Sequence, residues 1–181
     1  MLKKILASII LGSTFIFFGY TMANIRYDLP LKVHYSQLNS FAQKEIQCLT
    51  NNIFFEAAYE PEKGQKAVAF VTINRVKSGH FPGTICDVVK QKTVGVCQFS
   101  WYCEEKPKWL SYTGNLTNAQ RMVYNDIKEL AIHVYANYDK LEDPTKGALF
   151  YHADYVRPGW KNMIHTATIG RHIFYIRKDL V

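Results

Sequence analysis

The sequence predicts an α+β domain that is mostly helical, with a small antiparallel sheet late in the chain. Three observations lead there. Apolar residues recur at helical spacing over residues 40–59, 61–77 and 117–138. Two short runs near the C-terminus, ALFYH and HIFYIR, are rich in β-branched and aromatic residues and read as paired strands. The composition, 48% hydrophobic, 14% aromatic and 20% charged, is that of a chain able to build a core.

The elements follow in order. Lys3 and Lys4 precede ILASIILGSTFIFFGYTMA, nineteen residues without a charge, and Thr21 and Ala23 leave small residues just before Asn24. This is the layout of a secretory signal peptide. Its apolar run is also close to the roughly 20 residues that span a bilayer, so residues 1–23 are either a cleaved signal or a signal anchor through residues 5–23. Either way the two lysines stay inside and the rest is exported, to the periplasm or cell envelope. Residues 24–39 carry Pro30 and no sustained period, and are expected to be a linker. Residues 40–181 form the domain; the chain beyond the leader has about 160 residues, enough for one core.

Ser40 is placed to cap the first helix, and Pro61 to end it near Tyr59. A second helix starts at Pro61, with Glu60 and Glu62 at its positive end. Val68, Ala69, Thr72, Ile73 and Val76 form one stripe while Phe70 and Val71 make the other face apolar, so this helix is expected at the centre. Gly79, Pro82 and Gly83 mark a turn before a short helix through Val88 and Val89. Residues 92–116 read as irregular and aromatic, with Phe99, Trp101, Tyr102, Trp109 and Tyr112. Thr117 and Gln120 form a capping box for a helix whose buried stripe is Met122, Val123, Ile127, Leu130, Ala131 and Val134.

Net charge is +7, about +5 without the leader lysines. That suits an anionic partner such as an acidic wall polymer, but the chain lacks a Lys/Arg run of nucleic-acid type, so no nucleic acid is expected. Cys48, Cys86, Cys97 and Cys103 are an even set in an exported chain and read as disulfides. Three connectivities are open. Cys97–Cys103 closes a short loop and is favoured, with Cys48–Cys86 as the remaining pair. Zinc is the competing use, but the spacing is wrong for a metal knuckle and no paired histidine follows, so neither metal nor cofactor is expected.

The residue that stands out is Glu56. Ile46, Leu49, Ile53 and Glu56 are spaced to share one helical face, which sets an acid on an apolar stripe. Such an acid is either a structural group paired in the core or a carboxyl held protonated for proton transfer; burial and the neighbouring Glu60 both raise its pKa. Glu60 has an ordinary role as well, at a helix start beside Pro61. Six histidines are scattered, and the chain carries no phosphate loop, H-E-x-x-H or G-x-S-x-G.

The blocks CLTNNIFFEAAYEPEKGQKAVAFVTINRVKSGHFPGTICDVVKQ, CQFSWYC, FYHADYVRPGW and IGRHIFY, in that order, resemble the SleB/CwlJ-type cell wall hydrolases, which include the spore cortex-lytic enzymes. The resemblance runs from about Cys48 to Tyr175. One departure is AAYEP, where the family more often has Ala-Arg-Gly-Glu-Pro; Ala58 and Tyr59 stand in for that Arg-Gly. The resemblance implies a lysozyme-like fold acting on peptidoglycan, with Glu56 as general acid and base in a lytic-transglycosylase-like reaction between N-acetylmuramic acid and N-acetylglucosamine. It implies substrate contacts at Glu60, Gln98, Phe99, Ser100, Tyr102, Tyr151 and His152; a monomer is expected. Trp160 is as well suited to the core as to sugar, and Asn74 and Arg75 read as structural. The alternatives are a hydrolytic muramidase, a phage signal-anchor endolysin and an inactive wall-binding protein.

Overall fold

The structure, a computed structural model, describes residues 32–103 and 116–181. The expected leader, most of the expected linker, Trp109 and Tyr112 lie outside the described residues. Residues 32–38, the end of the expected linker, lie against the domain. Val33, Tyr35 and Leu38 pack on its core, and Gln43 Nε2 donates to the carbonyls of Tyr35 and Leu38 at 3.2 and 2.9 Å.

Helix α1 (Ser40–Ala57) is the hub, packing against α2 (Glu62–Ser78), α3 (Ile85–Lys90) and α5 (Asn118–Asn137). Its cap is Asn39 rather than Ser40: Asn39 is extended, so its side chain reaches back to the Ala42 N–H at 2.8 Å, while Ser40 is already helical. Ile46, Leu49 and Ile53 are fully buried, as their spacing predicts. Helix α2 is central, with both its stripes inside, and stops at Gly79, whose φ of 72° closes the helix in the left-handed region. A chain of buried polar groups crosses the core. Trp101 Nε1 donates to Asn52 Oδ1 at 3.2 Å, Asn52 Nδ2 to Thr72 Oγ1 at 3.1 Å, and Thr72 Oγ1 to the Val68 carbonyl at 2.9 Å. Each partner satisfies the next, so the chain aligns three elements without leaving these groups unpaired.

The expected irregular stretch after α3 holds a small hairpin. β1 (Lys92–Thr93) and β2 (Val96–Cys97) pair through Val94 and Gly95, both with positive φ, before the one-turn helix α4 (Ser100–Cys103). Cys97 bonds Cys103 across this turn, and Cys48 bonds Cys86, joining α1 to α3. In α5 the capping box of Thr117 and Gln120 forms, and Ile127, Ala131 and Val134 are buried. Met122 is not part of that stripe; it is 68% exposed, while Val123 and Tyr124 beside it pack against the core.

The late sheet has three strands in the order β3-β5-β4: β3 (Phe150–Ala153), β4 (Met163–Ile169) and β5 (His172–Arg177), all antiparallel. The two predicted strands, β3 and β5, pair with each other. The edge strand β4 has a signal in its sequence, Ile164, Thr166, Thr168 and Ile169, broken by a register shift between His165 and Ala167. The sheet is fastened to α2. Asn74 Nδ2 donates to the Ala148 carbonyl at 3.1 Å and Arg75 Nε to the Leu149 carbonyl at 2.7 Å, immediately before β3.

Candidate active site

Strand alternation sends Tyr151 toward the helices, where its hydroxyl donates to Glu56 Oε2 at 3.0 Å. Glu56 lies on the last turn of α1 at the junction of two lobes of one cleft. The smaller lobe, about 200 Å³, runs past Tyr59 and Glu60; the larger, about 470 Å³, runs past Ser100, Trp101 and Tyr151. Phe55, Glu56, Ala153, Tyr155 and His172 line both. The carboxyl thus meets an open channel on each side while its flanks are apolar.

Burial raises the pKa of Glu56; the Tyr151 hydrogen bond and the positive charge of Arg75 pull the other way and offset part of that rise. Arg75 is buried in an aromatic cage, with Phe81, Phe99 and Phe150 ring centres 5.1, 5.3 and 5.8 Å from its guanidinium carbon. Desolvation brings its pKa down to about 10, against the pull of Tyr151 and Glu56, so it remains a cation at neutral pH. Its Nη1 has no hydrogen-bond partner among the described residues. Burial, reinforced by the Glu56 charge, pushes the Tyr151 phenol well above its usual value, so Tyr151 serves as a donor. Glu56 is thus a carboxyl whose pKa burial raises, held by the Tyr151 hydroxyl and facing the positive charge of Arg75, both of which offset part of that rise.

The other expected contacts divide. Ser100, Tyr151 and His152 line the larger lobe. Phe99 does not: it is 3% exposed and its ring packs against the Arg75 guanidinium. Gln98 is exposed, its N–H donating to the Gln91 carbonyl at 2.9 Å, and it lines neither lobe. Tyr102 faces a separate groove with Tyr35, Gln47 and Trp101. Glu60 does line the smaller lobe, but its Oε2 accepts from the Arg171 N–H at 3.0 Å, so this oxygen holds a hairpin.

Two cleft residues escaped the sequence reading. His172 is 7% exposed, its ring edge-on to Tyr151 at 5.1 Å, with Nδ1 unpartnered among the described residues. Burial lowers its pKa; Glu60 and Asp154 oppose that shift and His152 adds to it. Tyr155, 74% exposed, borders both lobes. His172 stood in the IGRHIFY block with no role, since nothing local says which face of β5 meets α1. The acid fully inside the core is Glu45, 4% exposed, whose carboxylate accepts from the backbone N–H groups of Ile85 and Cys86 at 2.5 and 3.4 Å and so caps α3. Among the described residues no group of His, Cys, Asp or Glu could hold a metal ion.

A helical scaffold with a small sheet and a desolvated carboxyl at the junction of a two-lobed cleft defines a candidate acid-catalyst domain. The Cell Wall Hydrolase family matches residues 59–175, and the chain belongs to that family. The match begins three residues after Glu56. Two spore cortex-lytic enzymes, from Bacillus cereus and Oceanobacillus iheyensis, are each 43% identical over 51 and 49 residues, 28% and 27% of this chain. A third, from Halalkalibacterium halodurans, is 27% identical over 136 residues, 74% of this chain. These matches take in 20%, 18% and 35% of the three relatives, so the chain spans about a fifth of the length of the first two and about a third of the last. Among solved structures, the catalytic domain of the germination-specific lytic transglycosylase SleB from Bacillus anthracis is 27% identical, covering 77% of this chain and 99% of that one at a TM-score of 0.48. The Bacillus cereus SleB catalytic domain is 25% identical, covering 77% and 94% at a TM-score of 0.42.

Proposed function

We propose that the protein cleaves the glycan strand of peptidoglycan between N-acetylmuramic acid and N-acetylglucosamine, with Glu56 as acid and then base. The observation that carries this reading is the 3.0 Å bond from Tyr151 to a Glu56 carboxyl whose pKa is raised by burial, at the junction of two lobes of one cleft. Family membership supplies the substrate class, and the cortex-lytic relatives point the same way.

The chemistry follows from the lone acid. Protonated Glu56 gives its proton to the bridging oxygen as the bond from that oxygen to muramic C1 breaks. The muramic 6-hydroxyl then attacks C1, closing a 1,6-anhydro ring, and its proton returns to Glu56. Glycosidases that use two carboxyls hold them roughly 5–5.5 or 6.5–9.5 Å apart. Among the described residues lining the two lobes the other carboxyl is Glu60, with Oε2 bound to Arg171. An internal nucleophile makes a second carboxyl unnecessary. Tyr151 orients Glu56, Arg75 holds Tyr151 in place through Leu149, and His172 offers its ring to the bound sugar. Ser100 and Tyr155 are placed to contact the strand.

The protein is exported in this reading. The two disulfides suit an oxidising compartment, and the charged-then-apolar residues 1–23 suit a signal or anchor. Among the described residues no helix is long and apolar enough to cross a membrane.

Digestion of purified sacculi, followed by mass spectrometry of the released fragments, tests the proposal. Wild type should release fragments with anhydro ends and Glu56→Gln should release none. Fragments with reducing ends would replace the transglycosylase step by hydrolysis, and undiminished release by Glu56→Gln would remove Glu56 from the mechanism.

A further inference from the structure

On β3, Tyr151 and His152 point to opposite faces of the sheet, and the outer face carries a cavity of its own. The His152 ring stacks on Tyr175 with centroids 5.3 Å apart, and Trp160 meets His152, Tyr175 and Phe150 edge-on at 5.6, 6.2 and 5.9 Å. Trp160 is therefore braced on three sides yet 44% exposed. It borders a cavity of about 440 Å³ together with His152, Arg157, Met163, Ile173 and Tyr175. His152 also lines the larger lobe of the Glu56 cleft, so cleft and cavity border the same residue.

The charge on this cavity is one-sided. Its described lining includes Arg157 and no Asp or Glu. Arg157 is held in place by Nη1, which donates to the carbonyls of Asp154 and Val156 at 2.7 and 3.0 Å. Its Nε and Nη2 have no protein partner among the described residues. A guanidinium with a free edge is a carboxylate receptor, able to donate two parallel hydrogen bonds. Beside it, Met163, Ile173 and Trp160 offer an apolar wall suited to short aliphatic side chains.

We propose that this outer cavity binds the stem peptide of a peptidoglycan strand whose glycan lies in the Glu56 cleft. The N-acetylated sugars of the strand are neutral, whereas the stem peptides carry carboxylates and small apolar side chains, and that combination matches Arg157 against the apolar wall. The inference rests on reading the Glu56 cleft as a glycan site. It makes the protein selective for strands that still carry peptides.

Binding to the full chain carrying Glu56→Gln, which does not turn over, separates the two ligand chemistries. The probes are a disaccharide–tetrapeptide oligomer and the same glycan with its peptides removed by an amidase and the lactyl carboxylates so exposed capped as methyl amides. Arg157→Gln and, separately, Trp160→Phe should each weaken the peptide-bearing probe, by about tenfold for the arginine. Both should leave the peptide-free glycan within about twofold, a change of a few tenths of a kcal/mol. Equal loss for both probes would make the cavity a further sugar subsite and overturn the proposal, as would no loss for either. If the parent protein bound neither probe, the glycan reading of the cleft would fall with it; binding of both probes with unaltered variants would remove the stem-peptide site alone.

Discussion

The carboxylate of Glu60 accepts a hydrogen bond at 3.0 Å from the backbone N–H of Arg171, 111 residues further along the chain. The bond fastens the corner between α1 and α2 to the two-residue turn of the β4–β5 hairpin. Gly170 at that turn has φ +56°, and a Cβ there would sit 1.8 Å from Glu60 Oε2. His172, which lines both lobes of the cleft, follows directly.

Gly170→Ala should therefore destabilise the fold by about 1–3 kcal/mol, through the left-handed backbone and the collision together. Glu60→Ala loses the latch, while Glu60→Gln keeps an oxygen for the Arg171 N–H and should retain most of the stability. In the double variant Glu60→Ala/Gly170→Ala the collision is relieved, so the two losses should sum to more than the measured total. Urea unfolding of the four proteins gives the comparison, and strict additivity would show that the two residues do not act together.

Tyr151→Phe removes the hydroxyl that aims Glu56 and leaves the ring in place. The turnover number should fall about threefold to tenfold, with KM little changed, since a hydrogen bond to the protonated carboxyl contributes on the order of 0.5–1.5 kcal/mol. This hydrogen bond lowers the Glu56 pKa, so its loss lets burial raise that pKa further. The alkaline limb of the rate profile, where the acid loses its proton, should move to higher pH. A limb moving toward acid would contradict the assignment of Tyr151 as donor.

Glu56 also has a signature in stability. Its folded pKa is raised, so between the unfolded and folded values the native state holds a proton that the unfolded chain has released. Stability then falls as pH climbs through that window, and the burden of a buried carboxylate is complete above the folded pKa. Glu56→Gln should melt at a higher temperature than wild type near neutral pH, and the two should converge near about pH 3. Thermal melts across this range decide it; a variant that is less stable at neutral pH would mean the charge is stabilised in the fold.

Glu45 makes a contrasting pair with Glu56. Eleven residues separate them on α1, close to three whole turns, so they share a face. Glu45 meets the N-terminus of α3 and has its oxygens occupied there. Glu45→Ala leaves two buried N–H groups without their acceptor and should cost about 2 kcal/mol. Activity per folded molecule should be unchanged, which circular dichroism melts and sacculus digestion below the melting point would together establish.

Much of this was legible in residue patterns. Val68, Ala69, Phe70 and Val71 marked α2 as central because neither face was polar, and Thr117 with Gln120 marked the start of α5 because a capping box is a local structure. Six-residue spacing suggested Cys97–Cys103. Strand β4 was harder, since its alternation is interrupted at Thr166 by a bulge and its partner β5 follows it in the chain. Phe99 and Tyr102 looked like sugar contacts because aromatic residues serve cores and clefts equally well; only packing placed Phe99 on Arg75 and Tyr102 in another groove.

By itself the sequence determined the local geometry: where helices begin and end, which stripe of each is apolar, and that α1 carries an acid at Glu56 among apolar neighbours. Those properties depend on residues within one or two turns of each other. Only the tertiary structure decided what each acid meets. Glu45 was given to the α3 N-terminus, Glu60 to the hairpin at Arg171, and Glu56 to Tyr151 and the open cleft. The sequence set Glu56 apart by its apolar stripe but named the partner of none of the three. They differ because desolvation and hydrogen bonding are set by partners 40, 111 and 95 residues away, brought close by the packing of the whole domain.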